Sequence, residues 1–181
     1  DEDFEKHLNR NPELYLDKTD IVTKYGNDEQ LVEHIKRDIC EELLELYEGV
    51  VMKPNDDLMD LLVSIVNQTG EKFVCLIDEW DALCREGQEK QMDEYVNLLR
   101  RLFKGSMSEY VFACSYMTGI LPIKRYNTQS ALNNFDEYTM LSPAQLAPYF
   151  GFTENEVEQL CTEGGMDAYK MKRWYDGYEL G

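Results

Sequence analysis

The stretch "KFVCLIDEWDALC" (72–84) runs five apolar residues, 73–77, straight into Asp78, Glu79 and Asp81. A carboxylate at the tip of a buried strand can hold Mg2+, directly or through water, because Mg2+ keeps several waters and uses few protein carboxylates. The carboxylate that follows can orient or deprotonate an attacking water. Asp78 is therefore the metal candidate and Glu79 the catalytic one, in the manner of the Walker-B pair of phosphate-loop ATPases. Two other readings stand beside this one. The run can be a core strand that simply ends at the surface, with Asp81 capping the next turn. Alternatively, Asp78, Glu79 and Asp81 can serve together in a Mg2+-dependent nuclease, which the acidic surface and the strand-end geometry argue against.

Such acids need a sheet behind them. In open parallel α/β sheets, ligands bind beyond the carboxyl ends of the strands. The run 73–77 is continuous rather than alternating, which predicts a strand covered on both faces. A second buried strand is expected over 109–120 and a short one over 14–22, where polar residues 17–19 can end it. Leu31, Ile35, Ile39, Leu43 and Tyr47 recur every four residues and predict a helix over 27–47, with Asn27 and Gln30 as a capping box. A second helix is expected over 55–70, acid-rich at its start and closed by Gly70. A third, over 90–105, puts Met92, Tyr95, Val96, Leu99, Leu102 and Phe103 on one face. Strand, helix and strand across 72–117 make a βαβ unit with a right-handed crossover.

After about residue 140 the texture changes to short helices without strands. Ser142 with Pro143 suggests one helix start, Thr153 with Glu156 a capping box for the next, and "MDAYKMKRWYDGY" a closing helix. The expected organisation is an α/β core over 1–140 and a small helical subdomain over 141–181.

The 181 residues carry 36 acids against 18 bases, a formal charge of −18, so the surface repels phosphate backbones and direct nucleic-acid binding is not expected. The five cysteines, at 40, 75, 84, 114 and 161, form no C-x-x-C pair, which points to a reducing, cytoplasmic setting. Only His7 and His34 are available as imidazole ligands, and His34 falls on the polar side of its helix, so a zinc site is not expected. No apolar stretch approaches membrane-spanning length.

A nucleotide site also needs a glycine-rich G-x-x-x-x-G-K-[S/T] loop opening a helix. None of the eleven glycines is followed by lysine. The nearest look-alike, "TGEKF" at 69–73, lacks the upstream glycine and leads into a strand.

The series "KFVCLIDEWDALCRE", "YVNLLRRLFKG", "YMTGILPIKRYNTQSALNNFDEYTM", "YFGFTENEVEQLC" and "MKRWYDGYELG", in that order, resembles the predicted AAA-ATPase-like family of bacterial proteins. The resemblance covers most of the chain. It implies a P-loop NTPase-like three-layer sandwich around a parallel sheet, with the N-terminal phosphate-loop segment missing here, and a nuclease-like C-terminal part that is also missing. It implies ATP and Mg2+ as ligands of the longer protein, with Asp78 and Glu79 as the Walker-B pair. It further implies that the strand ending near 115–118 is the sensor-1 strand, whose polar tip, Thr118 in preference to Ser115, approaches the terminal phosphate or its water. Ser115 reads instead as a hydroxyl that caps a turn. The fragment alone is expected not to hydrolyse ATP, since removing the phosphate loop removes most donors to the phosphate charge.

Some candidates have a plainer reading as well. Arg100, Arg101 and Arg125 each fit an arginine finger across a subunit interface, or cations that offset a helix dipole. Trp174, Tyr175 and Tyr178 could stack on a base, or pack the helical subdomain. A homo-oligomer or a protein partner is compatible with the sequence. An interaction module with a decayed nucleotide site is the rival from another class.

Overall fold

A computed structural model describes residues 6, 8–26, 28–85, 89–122, 132, 134–149 and 151–175. The chain divides into two compact units, Asp1–Phe135 and Asp136–Gly181.

The first unit is built on three parallel strands: β1 (Glu13–Asp17), β2 (Phe73–Asp78) and β3 (Phe112–Met117). Their order in the sheet is β1-β2-β3, so the strand carrying the acid pair is the central one. Three helices lie between β1 and β2 in the chain: α1 (Lys18–Tyr25), α2 (Leu31–Leu46) and α3 (Leu58–Thr69). Three more separate β2 from β3: the short α4 (Ala82–Arg85), then α5 (Glu89–Phe103) and α6 (Ser106–Val111).

Local chemistry sets the boundaries. The strand expected over 14–22 stops at Asp17, whose Oδ1 accepts the N–H of Asp20 at 3.3 Å. That bond caps the first turn of α1, which takes up the rest of the segment. At the start of α2, Gln30 makes no side-chain capping bond; Asp28 accepts the Gln30 N–H instead, at 2.8 Å. Asn27, the other half of the expected box, lies outside the described residues. α3 begins with a reciprocal box between Asp57 and Asp60 and ends at Gly70, which takes the left-handed conformation with φ 75. The segment 109–120 splits: its first residues complete α6, and only Phe112–Met117 is strand.

The two faces of the sheet differ. Leu14, Leu16, Phe73, Cys75 and Ile77 are buried in one core with Ile35, Ile39, Leu61, Ile65, Tyr95, Leu99 and Leu102 of the helices. On the opposite face Tyr15 and Tyr116 stay about half exposed, at 54% and 47%, on either side of a half-buried Leu76. Topology explains the asymmetry. Both crossovers step the same way along the sheet, and two right-handed crossovers in one direction place their helices on one face. Among the described residues one face of the sheet is thus packed under helices and the other is only partly covered. β2 alternates between buried and half-buried residues, where full cover on both sides was expected.

The second unit holds a 3-10 segment (Ala144–Tyr149) and two helices, α7 (Glu154–Gly164) and α8 (Ala168–Tyr175). The expected Thr153–Glu156 capping box is present, and Gly165 closes α7 in the left-handed conformation. The helix start read at Ser142 and Pro143 leads into the 3-10 segment, which contains Pro148. Proline supplies no N–H, so a longer α-helix through it would lose a bond.

Candidate functional site

Asp78 is the last residue of the central strand and Glu79 opens the turn beyond it. Both are half-buried. Parallel pairing sets Asp17, the last residue of β1, directly beside Asp78. The rim therefore gathers Asp17, Asp78 and Glu79, with Asp20 in the first turn of α1. The hydroxyl of Tyr15 is held above its ordinary value, first by partial desolvation and then by the carboxylates of Asp17, Asp78, Asp20 and Glu13.

Thr118 follows the last residue of β3 and is fixed on three sides. Its N–H donates to Ile77 O at 2.8 Å, and its carbonyl accepts the Trp80 N–H at 2.9 Å. Its hydroxyl donates to Asp78 Oδ1. The Glu79 N–H is shared between Asp78 Oδ1 at 3.0 Å and Thr118 Oγ1 at 3.4 Å. Glu79 adopts φ 54, in the left-handed region, which a side chain with a Cβ occupies at a cost of roughly 1–2 kcal/mol. Its carbonyl accepts the Ala82 N–H at 2.9 Å, closing a tight turn. The three residues singled out in the sequence, Asp78, Glu79 and Thr118, thus meet in one place.

The donor set around Asp78 is compatible with Mg2+. Among the described residues, both hydrogen bonds to this carboxylate fall on Oδ1. No group of three or more His, Cys, Asp or Glu among the described residues is arranged to hold a metal ion. A cation that keeps its waters and leans on one carboxylate and on substrate oxygens suits such a rim; an all-protein cage does not.

Asp81 does not belong to that set. It is fully buried, and its Oδ1 and Oδ2 accept the N–H groups of Ile120 at 3.2 Å and Leu121 at 2.9 Å. This removes the third carboxylate from the nuclease arrangement of Asp78, Glu79 and Asp81. Ser115 lies within β3 beside Cys75, three residues short of the strand-end cluster. Arg100 donates to Asn97 Oδ1, and Arg101 to Asp57 at the N-terminus of α3. Arg125 and Tyr178 lie outside the described residues. Trp174 and Tyr175, in the second unit, are 83% and 75% exposed. Burial pushes the Cys75 thiol up to about 12, so that cysteine acts as core material.

The sequence reading missed Asp17 as a rim residue, and it missed the partners of Asp81. Asp17 carried a signal, an acid at the end of a short strand. The contacts of Asp81 carried none, because its partners lie 39 and 40 residues away.

The first unit is thus an α/β protein with a parallel sheet, whose central strand delivers an acid pair to the carboxyl edge, where open α/β sheets as a class bind their ligands. The chain belongs to the AAA-ATPase-like family: the family model, described as predicted AAA-ATPase, matches residues 2–128. Membership implies nucleotide binding in general terms. The matched span includes β2, β3, Asp78, Glu79 and Thr118, and ends before the motifs at 130–135, 149–153 and 174–178. No curated protein matches the chain. Among the described residues, no helix is long and apolar enough to cross a membrane.

Proposed function

We propose that this chain is the Walker-B and sensor-1 portion of an AAA-type ATPase core, over 1–140, with a helical subdomain over 141–181. ATP binding and Mg2+-dependent hydrolysis then belong to a longer, cytoplasmic protein that supplies the phosphate loop. The observation that carries this reading is the meeting of Asp78, Glu79 and Thr118 at the carboxyl edge of a parallel sheet. The half-exposed sheet face around Tyr15, Leu76 and Tyr116 adds support, since it is a surface that further chain could cover.

Each residue has a distinct role. Asp78 would hold Mg2+, directly or through water. When bound, the cation neutralises charge on the phosphate oxygens. Glu79 orients the attacking water and accepts its proton. The Thr118 hydroxyl, shared between Asp78 and the Glu79 turn, orients both. A catalytic glutamate in the left-handed region is consistent with backbone strain held at a working site. The family resemblance adds a nuclease-like C-terminal part as the effector that turnover drives.

Glu79→Gln in the full-length protein tests the reading. Phosphate release is expected to fall by about 100-fold or more, as for loss of a general base, while ATP binding persists. An unchanged rate would remove Glu79 from the mechanism. The interaction-module alternative predicts neither binding nor turnover.

A further inference from the structure

From the backbone contacts of Asp81 we infer that it is a positioning residue, which acts through segment 118–121 to keep the Thr118 hydroxyl on Asp78. The inference rests on the proposed function only for the reaction it serves; the positioning itself is a property of this fold.

Asp81 is a fully buried carboxylate. A buried charge is tolerated only where hydrogen bonds compensate it. Each of its oxygens accepts one backbone N–H, from Ile120 at 3.2 Å and Leu121 at 2.9 Å. Those donors lie just beyond Thr118, so the carboxylate holds the same segment two and three residues further along. Between the two grips sits Gly119. A Cβ there would stand 2.4 Å from Trp80 Cδ1, 2.6 Å from Trp80 Nε1 and 2.7 Å from Asp81 Oδ1. The backbone at 119 can approach this closely only because glycine has no side chain. Trp80 is itself 2% exposed and donates its N–H to Thr118 O. Residues 78–81 and 118–121 are therefore tied by a ladder that alternates between the two loops: Asp78 to Thr118, Thr118 to Trp80, Asp81 to Ile120 and Leu121.

The ladder explains why a carboxylate is used at 81. An amide at that position accepts through one atom only and presents its NH2 to the other backbone N–H. One rung would then be replaced by two donors facing each other. Segment 118–121 would loosen, and the Thr118 hydroxyl would lose its fixed aim at Asp78 Oδ1.

Asp81→Asn tests this in two ways. In the chain itself, amide exchange at Thr118, Ile120 and Leu121 is expected to quicken by about tenfold, as for one lost hydrogen bond to a charged group. The amides of residues 74–77 are expected to keep their protection. Asp81→Ala is a second variant, which removes both acceptors without setting an NH2 against the backbone donors. It should quicken exchange at Thr118 in the same way. Wild-type protection at Thr118 in either folded variant would overturn the inference. In the full-length protein, Asp81→Asn should raise the Mg2+ concentration for half-maximal phosphate release about 10- to 100-fold, as when an outer partner of a metal ligand is lost, with the nucleotide KM unchanged. A loss of folded protein alone would lower kcat and leave that midpoint in place, and this outcome too would overturn it. If the wild-type protein releases no phosphate, the ATPase reading fails, and the exchange experiment still decides the role of Asp81.

Discussion

At the scale of single residues, Glu79 carries opposed demands. Its carboxylate is proposed to serve the reaction, while its backbone, at φ 54, is one that glycine tolerates better. Replacing it with alanine and with glycine separates the two. Both variants lack the carboxylate, so both are expected to lose phosphate release in the full-length protein. They should differ in stability: Glu79→Gly is expected to exceed Glu79→Ala by about 1 kcal/mol in urea unfolding, because only alanine carries a Cβ in the left-handed region. Equal stability would show that no strain is held at this turn. The acid pair was legible in the sequence because an apolar run followed by two carboxylates places them at a strand tip. The left-handed turn was not, since a glutamate carries no local sign of it. Gly119 was equally opaque: "TGI" gives no hint that Trp80 and Asp81 press against it from a distant part of the chain.

At the scale of elements, the α1–α2 pair is joined by a polar network. The Asp38 carboxylate accepts from Lys24 Nζ at 2.6 Å, from the Tyr25 hydroxyl and from Arg37 Nη2 at 3.1 Å. The hydrogen bonds from Lys24, Tyr25 and Arg37 hold its pKa down at about 2 against an ordinary 3.8. A carboxyl depressed in the folded state stabilises it above the unfolded value, and that stabilisation disappears as pH falls through the folded value. The contribution is therefore complete above about pH 4 and fades toward pH 2. Because the group is partly exposed, solvent screening leaves about 1 kcal/mol of it. Asp38→Asn is expected to be less stable than wild type by that amount at pH 6, and in urea titrations the gap should narrow from about pH 4 toward pH 2. A gap independent of pH would assign the effect to packing. Elements with strong periodicity, α2, α3 and α5, were readable to within a few residues. The segment 109–120 was not, because "EYV" runs without a break in apolar character into "FACSYM". The helix opens directly after Gly105, whose carbonyl accepts the Ser108 N–H at 3.2 Å. Cover on only one face of β2 also escaped the sequence, since a continuous apolar run looks the same whether or not its second face is covered.

At the scale of the whole molecule, the two units differ in how they hold themselves together. The first sets a buried sheet face against long amphipathic helices. Among the described residues of the second, only Pro143 and Cys161 are buried. Tyr149, Phe152, Tyr169, Trp174 and Tyr175 there are each more than 70% exposed. Capping boxes and helix closures, as at Thr153 and Gly165, contribute about 1 kcal/mol each. That does not offset the backbone entropy of ordering some tens of residues, which costs roughly 1–2 kcal/mol per residue. The helices of the second unit should therefore open far below the global unfolding free energy, as segments with few buried apolar contacts do. Native-state hydrogen exchange on the intact chain measures this directly. Amides of α7 and α8 are expected to exchange with an opening free energy of about 0–2 kcal/mol, while those of β2 exchange only through global unfolding, in the range of about 5–15 kcal/mol. Protection in α7 and α8 equal to that in β2 would show that burial in this chain understates what stabilises the second unit.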